Sequence, residues 1–296
     1  MFDDAIRKAD ALVEALPYIR LFKGKTFVIK FGGSAMDDPK VMDDVLEDVV
    51  FLAAVGVRPV FVHGGGPHIS AAMKKSGLEP EFVAGHRKTD KDTLEIAIEV
   101  LAGQISAMIA RRIEALGGSA VCSFGPDGSM LKAEKRFLEL EAPDGSVEKH
   151  DLGYVGRVTE VETETFSRLG AEGRIVVVPP IAQGRQGQFY NVNADSAASA
   201  IALKVGAEKL VMLTNVPGII VNKEKPDEVA SSLSEGQVEN LIKAGVIHGG
   251  MLPKVAACLA AVSNGVAKAH IIDAATNHAI LLEIFTDKGI GTQIVR

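Results

Sequence analysis

The sequence predicts an α/β fold built around a mainly parallel central sheet. Three observations carry that prediction. Short runs that are apolar on both faces, at residues 27–29, 57–62 and 174–180, read as strands buried within a sheet rather than half-exposed ones. Stretches with helical periodicity separate them, which makes βαβ units. Glycine turns then lie ahead of helices three times, at Gly32-Gly33, Gly64-Gly65-Gly66 and Gly249-Gly250, and backbone N–H groups at such turns suit an anion.

At 296 residues, with 47% hydrophobic and 24% charged side chains, the chain has enough material for a full core in one large domain or two lobes. A net charge of −6 and a pI near 5.7 argue against nucleic acid as the main partner. The absence of an 18-residue apolar run predicts no membrane span. Asp3, Asp4, Arg7, Lys8 and Asp10 exclude the apolar stretch of a signal peptide at the start of the sequence. Cys122 and Cys258 lie far apart in apolar segments and read as reduced core residues, which fits a cytoplasmic protein. Zinc spacing, a Walker A motif, a protein-kinase signature, a Gly-x-Ser-x-Gly elbow and a Rossmann fingerprint are all missing.

Phe2, Ile6, Ala9, Val13 and Leu16 form one helical stripe, which predicts a helix over residues 2–16 ending at Pro17. It precedes the first core strand, so it either packs on its own domain or docks on another subunit. The first strand ends in Lys30 and runs into Gly32-Gly33, while Asp38 and Pro39 suit the N-cap and first position of the next helix. This pattern serves either an anion site or a tight turn beside a surface lysine. The helix over 39–55 carries Val41, Val45, Val49 and Leu52 on one face and is ended by Gly56. The next strand enters His63-Gly64-Gly65-Gly66-Pro67. Two such loops after consecutive parallel strands face one sheet edge, where ligands gather. His63 reads as a packed, hydrogen-bonded residue.

Residues 78–88 read as a loop ending in Gly85-His86-Arg87-Lys88. There Arg87 is either a carboxylate clamp or a solvated charge. Thr89 and Asp92 suggest a capping box for a long helix reaching Leu116, stopped by Gly117-Gly118. A strand over 119–124 follows. Turn signals at Pro126-Asp127-Gly128 and Pro143-Asp144-Gly145 predict antiparallel hairpins outside the main sheet. The strand over 174–180 leads through a glycine-rich turn to Asn191-Val192-Asn193-Ala194-Asp195, a polar cluster opening a helix to Leu203. Its plain alternative is N-capping by Asp195. A strand over 209–214, a helix capped by Ser234 and Gln237 and running to Ala244, Lys254 behind the third glycine turn, and a final strand over 269–273 complete the reading.

With these motifs in place, the chain resembles the amino acid kinase family over nearly its full length. Within that family it is most similar to the arginine-inhibited, hexameric branch that phosphorylates N-acetylglutamate. The carrying motifs are Val28-Ile29-Lys30-Phe31-Gly32-Gly33, His63-Gly64-Gly65-Gly66-Pro67, Gly85-His86-Arg87, the Asn191–Asp195 cluster, Leu213-Thr214-Asn215-Val216-Pro217-Gly218 and Gly249-Gly250-Met251-Leu252-Pro253-Lys254. Asn215 and Gly249 stand where members of the family often carry Asp.

The resemblance implies a three-layer αβα sandwich with peripheral hairpins and an N-terminal helix extension. Residues 1–20 would form that helix, residues 21–180 a lobe for the amino-acid substrate, and residues 181–296 a lobe for ATP and for regulatory arginine. It implies Lys30 and Lys254 as transition-state stabilisers held by Asp195, and Gly65, Gly66, Arg87 and Asn191 as substrate contacts. Gly32 and Gly33 would meet the transferred phosphoryl group. Asn215, Val216, Pro217, Gly218, Ile219 and Ile220, with Val246, Ile247 and His248, would hold the nucleotide. Mg²⁺ would arrive on the ATP phosphates rather than at a protein metal site. Lys209, His278, Glu283 and Gly289 would surround arginine, unless Glu283 simply faces solvent. A hexamer built as a trimer of dimers is implied as well. A PII-type regulatory partner belongs to the same picture, although no residue of the sequence speaks for it.

The chemistry agrees. A γ-carboxylate, with a reference pKa of about 4.3, is ionised at neutral pH and needs no general base. It needs screening from the triphosphate and alignment, which lysines and backbone N–H groups supply. The competing readings are another superfamily kinase acting on aspartate, glutamate, carbamate or uridylate, and a silent amino-acid sensor. Two phosphate-directed lysines with a shared carboxylate argue against a sensor.

Overall fold

The computed structural model describes residues 3–141, 146–221, 228–287 and 289–296. Phe2, the first residue of the predicted stripe, and the turn at Pro143-Asp144-Gly145 lie outside them. Helix α1 (Asp3–Phe22) leads into β1 (Thr26–Phe31), which is buried from Phe27 onward. A 3-10 turn (Ser34–Asp37) precedes α2 (Pro39–Ala54), where the Asp38 carboxylate accepts from the Lys40 and Val41 N–H groups as expected of an N-cap. Then come β2 (Arg58–His63), α3 (Gly66–Lys75), a short hairpin β3 (Phe82–Val83) and β4 (His86–Arg87), α4 (Lys91–Ile98) and α5 (Ser106–Ala115). A π-helical turn (Glu99–Ile105) joins α4 to α5. The middle of the chain supplies β5 (Ala120–Cys122), β6 (Phe124–Gly125), β7 (Gly128–Ser129), β8 (Leu131–Glu141), β9 (Val147–Val161), α6 (Thr163–Ala171), β10 (Ile175–Val178), β11 (Ile181–Gln183) and β12 (Phe189–Val192). The remainder is α7 (Ala194–Lys204), β13 (Lys209–Thr214), β14 (Ser232–Ser234), α8 (Glu235–Lys243), α9 (Met251–Ser263), β15 (Lys268–Asp273), α10 (Ala279–Ile284) and β16 (Thr292–Val295).

Eight strands form the central sheet in the order β14-β16-β15-β13-β1-β2-β10-β5, parallel from β15 through β5. Alternate residues of each central strand enter two different apolar cores. Val28, Val60 and Val176 pack with α6, α7, α8 and α9, whereas Phe27, Ile29, Phe61 and Val177 pack with α2, α3, α5 and α10. Helices therefore cover both faces, as a buried parallel sheet requires, and the molecule is the expected αβα sandwich. Strands β8, β9, β11 and β12 close into a small barrel outside that sheet, which is where the predicted hairpins belong.

Several expectations need correction. Helix α1 does not stop at Pro17 but runs through it to Phe22. Proline removes one helical hydrogen bond, yet the carbonyl that loses its partner belongs to solvent-exposed Val13, so it is not left unpaired in the core. Aromatic packing holds the turn beyond, with Phe22 5.2 Å from Phe27 and Tyr18 6.3 Å from Phe285 between ring centroids. The N-terminal part does not pack on its own domain: Ile6, Leu12 and Val13 are all exposed. The long helix is capped by Asp90, which accepts the Thr93 N–H at 2.8 Å, and not by Thr89. Thr89 is buried instead, because its backbone bridges to Gly153 of the barrel. Residues 91–115 as a run are long and apolar enough to cross a membrane by composition, and here Leu94, Ala97, Leu101, Ile109 and Ile113 are buried within the fold. Finally, β15 is not the last strand. The short β16 adds antiparallel to it, anchored mainly by Ile294, too brief a pattern to stand out in sequence.

Candidate active site

Parallel pairing of β1 with β2 puts Phe31 in register with His63, so the first two glycine loops leave the sheet side by side. They touch through their glycines. A Cβ on Gly32 would lie 3.2 Å from the Gly64 Cα and 2.8 Å from the Lys30 ammonium, and one on Gly64 would lie 3.1 Å from the Gly32 Cα. Close approach of the two backbones thus favours glycine at both positions. Gly65 faces the π-helical turn, where a Cβ would meet Leu101 at 2.5 Å and Ile105 at 2.7 Å. The imidazole of His63 secures this arrangement from below. Its Nδ1–H donates to the Gly64 carbonyl at 2.7 Å, which leaves Nε2 to accept from the Ser106 hydroxyl at 2.7 Å. Complete burial pushes the His63 pKa down to about 4, so the ring is neutral and structural, as read from the sequence.

Three charges meet above the loops. Lys30, at the carboxyl end of β1, places its ammonium 2.8 Å from one oxygen of Asp195, and Lys254, in the first turns of α9, lies 3.1 Å from the other. Asn193, not Asp195, caps α7, its side-chain oxygen accepting the Ser196 N–H at 3.0 Å. Asp195 is therefore free to hold both lysines. Burial would raise its pKa, but the two ammonium groups outweigh that and hold it below the ordinary carboxylate value. Burial, aided by the like charge of Lys254, lowers the Lys30 pKa against the pull of Asp195. The trio carries one net positive charge.

A cavity of about 310 Å³ opens beside this trio, lined by Lys30, Gly33, Gly65, Gly66, Arg87, Asn191 and Asp195 among others. Arg87 is half-buried over the Phe82 ring, 4.8 Å from its centroid. One terminal nitrogen donates to the Gly66 carbonyl at 2.9 Å and to the Ser70 hydroxyl at 2.7 Å, while the other reaches the Met73 sulfur at 3.3 Å. Asn191 donates to the Thr89 hydroxyl at 3.3 Å. Seven of the predicted phosphate and substrate residues are thereby brought to one space. Gly32 and Lys254 stand just behind its wall, against Gly64 and Asp195.

The predicted nucleotide segments do not line this cavity. Residues 215–220 leave the carboxyl end of β13, the strand paired with β1, and so lie at the same sheet edge as Lys30. Asn215 and Pro217 are exposed there, whereas Gly218 and Ile219 are buried, the Ile219 N–H donating to the Thr292 hydroxyl at 2.8 Å. Residues 246–248 directly precede the turn into α9, with His248 exposed.

The residues named for arginine divide. Lys209, Glu283 and Gly289 share a second cavity of about 350 Å³ with Tyr18, Phe22 and His270. His278 is elsewhere: it adopts a left-handed backbone ahead of α10 and pairs with buried Asp48 at 2.8 Å. A long-range pairing of this kind leaves no trace in local sequence. Glu283 does not face solvent. It accepts from His270 at 2.6 Å and from the Ile290 and Gly291 N–H groups at 2.7 and 3.0 Å. Lys209 lies 3.1 Å from the other nitrogen of His270, and burial pushes its pKa down to about 8. Sequence reasoning passed over His270, Ser106, Asp48 and Arg136. Polar residues inside apolar strand and helix runs were the available signal for the first three.

The chain matches the family described as the amino acid kinase family over residues 25–273. It is 47% identical over 287 residues to the acetylglutamate kinase of Pelotomaculum thermopropionicum, covering 97% of both chains. It is 49% identical over 293 residues to that of Caldanaerobacter subterraneus, covering 99% of this chain and 95% of the relative. Among solved structures, an N-acetylglutamate synthase from Neisseria gonorrhoeae complexed with coenzyme A and N-acetyl-glutamate superposes with a TM-score of 0.81 at 26% identity; the match covers 97% of this chain and 63% of the synthase. Carbamate kinase from Giardia lamblia shares the fold, with a TM-score of 0.64 at 19% identity over 92% of this chain and 98% of its own.

Proposed function

The chain belongs to the amino acid kinase family, and on that premise we propose that it transfers the γ-phosphoryl group of ATP to the γ-carboxylate of N-acetyl-L-glutamate, a step of arginine biosynthesis. The full-length similarity to acetylglutamate kinases supports the substrate. The observation that carries the chemistry is the single carboxylate of Asp195 held between Lys30 and Lys254 at the wall of a cavity that glycine backbone also lines.

In this reading the residues 21–180 supply the acceptor lobe and residues 181–296 the nucleotide lobe. Arg87 and Asn191 orient the acyl amino acid by its α-carboxylate and amide, leaving the γ-carboxylate toward Lys30. One of its oxygens attacks the γ-phosphorus as the bond to the bridging oxygen of ADP breaks. No proton moves, because the acceptor is already an anion. The lysines screen the repulsion between the anionic acceptor and the triphosphate, and backbone N–H groups at Gly32 and Gly33 receive the charge spread over the equatorial oxygens. Asp195 keeps the two ammonium groups fixed, so they need no reorganisation as that charge develops. Residues 215–220 and 246–248 take the nucleotide. Among the described residues no group of three or more His, Cys, Asp or Glu is set to hold a metal, and Asp195 is already engaged by lysines. In this reading Mg²⁺ would arrive on the ATP phosphates and would add to the charge screening there.

Regulation follows from the second cavity. Lys209, Glu283 and the backbone near Gly289 would take arginine, a zwitterion with a guanidinium, next to Tyr18 and Phe22 of α1. His278 has no part in it. The exposed stripe of α1 would join subunits into a hexamer, and the protein would work in the cytoplasm.

The test is ADP release from the purified chain with ATP, Mg²⁺ and a panel of acceptors. N-acetyl-L-glutamate should be preferred to glutamate, aspartate and carbamate by about 10²-fold or more in kcat/KM. Equal use of free glutamate, or no turnover with any acceptor, would overturn the assignment.

A further inference from the structure

We propose that Arg136 is a second reader of the substrate's α-carboxylate, sharing it with Arg87 and setting the preference for a dianionic acceptor. This rests on the N-acetylglutamate reading above and extends it to a residue that no motif pointed to.

Arg136 sits on β8 of the barrel, half-buried, and lines the 310 Å³ cavity. The other basic side chains of that stretch are engaged: Lys132 donates to the Gln183 amide oxygen at 3.0 Å, and Lys135 pairs with Asp151 at 2.7 Å. Arg136 makes no hydrogen bond or ion pair with any described residue. Its guanidinium is thus left without an anionic partner among the described residues, on the wall of a cavity that would hold an anionic acceptor.

The ladder explains how it comes to line the cavity. Lys135 pairs with Gly156 and Phe137 with Asp151, so residues 152–155 of β9 stand opposite Arg136 alone. That irregularity ties β9 to the start of the long helix, with the Thr89 N–H donating to the Leu152 carbonyl at 2.8 Å and Gly153 bridging Thr89. A Cβ on Gly153 would lie 2.2 Å from the Thr89 carbonyl oxygen, so this attachment is close and fixed. Irregular strand pairing of this kind re-aims side chains beside sites. Here it leaves Arg136 and Val155 lining the cavity together with Asn191, whose amide donates to the Thr89 hydroxyl.

Two facts select the α-carboxylate end. Arg136 lines the cavity together with His86 and Arg87, and its charge adds to burial in lowering the His86 pKa. The γ-carboxylate end is already served by Lys30 and Lys254. Four cations against the one carboxylate of Asp195 suit an acceptor with two negative charges facing an incoming phosphoryl group.

The experiment uses full-length Arg136→Gln and Arg136→Lys proteins. N-acetyl-L-glutamate is compared with its α-carboxamide analogue, in which the γ-carboxylate is intact, as substrate or competitive inhibitor. Arg136→Gln should raise the KM for N-acetyl-L-glutamate about tenfold or more. It should leave the KM for ATP and kcat within about twofold, and hardly change binding of the α-amide. Arg136→Lys should recover part of the loss, since it keeps the charge without the paired donors. An unchanged KM, an equal loss with both acceptors, or a loss falling on ATP would overturn the assignment. Those results leave wild-type turnover of N-acetyl-L-glutamate in place. A wild-type protein indifferent to that acceptor would instead overturn the functional reading, and this one with it.

Discussion

Two buried charged trios stand at opposite ends of the same sheet. Lys30, near the carboxyl end of β1, joins Asp195 and Lys254; Lys209, at the amino end of neighbouring β13, joins His270 and Glu283. The first divides one carboxylate between two cations and opens onto a cavity beside glycine backbone. The second is a chain in which each member satisfies the next, and two backbone N–H groups complete Glu283. Burial is similar in both, so burial does not separate them. What separates them is the residual charge and the glycine backbone that lines the cavity beside the first. The first trio suits a reacting phosphate; the second suits recognition of a ligand that carries both signs.

The largest effects should come from the first trio. Lys30→Ala and Lys254→Ala should each lower kcat by about 10²-fold or more, the scale of one preorganised transition-state donor. Near-normal turnover by either folded variant would remove the contrast between the trios. Arg87→Lys should act next, raising the KM for N-acetyl-L-glutamate by about tenfold while sparing that for ATP, because lysine cannot make paired hydrogen bonds. Equal shifts in both constants would move Arg87 out of the acceptor site.

Deleting residues 1–16 probes the other end. Tyr18 and Phe22 remain beside Lys209, so turnover should persist within about twofold. Inhibition by arginine should disappear and the assembly should fall to dimers, read by titration and light scattering. A truncated protein that stays hexameric and arginine-sensitive would leave the second trio without its proposed link to α1.

An effect of a different kind, on stability rather than turnover, is expected from His63. His63 has a folded pKa of about 4, depressed from an unfolded value near 6.5. Its contribution is therefore complete above about pH 6.5 and is lost as the pH falls through about 4, because the unfolded chain takes up the proton first. At full size that is about 3 kcal/mol. Denaturant titrations between these pH values should show stability rising with pH, with a shallower rise in His63→Asn. An identical slope in the variant would mean that His63 is not the group responsible.

The sheet was legible in the sequence because its signals are local, and the motifs that carry Lys30, Asp195 and Lys254 stood out for the same reason, while the pairing of these three was implied only by the family resemblance. Lys30 ends an apolar strand beside two glycines, and Asp195 follows two asparagines at a helix start. What remained hidden depends on residues meeting across the fold. Asp48 meets His278 and Ile280 from a helix more than two hundred positions away, Ser106 meets His63 only because a π-helical turn brings it there, and Arg136 is aimed by irregular pairing between two barrel strands. Pro17 misled in the opposite direction. The local rule that proline ends a helix yielded to aromatic packing beyond it.

The most direct test of the central claim traps the product. Wild-type protein, ATP, Mg²⁺ and N-acetyl-L-glutamate are incubated with hydroxylamine, which converts an acyl phosphate into a hydroxamate located by mass spectrometry. A γ-hydroxamate formed in step with ADP, and formed about 10²-fold or more slowly by Lys30→Ala, is the result expected. ADP released without hydroxamate, or hydroxamate at the α-carboxyl, would contradict phosphoryl transfer to the γ-carboxylate.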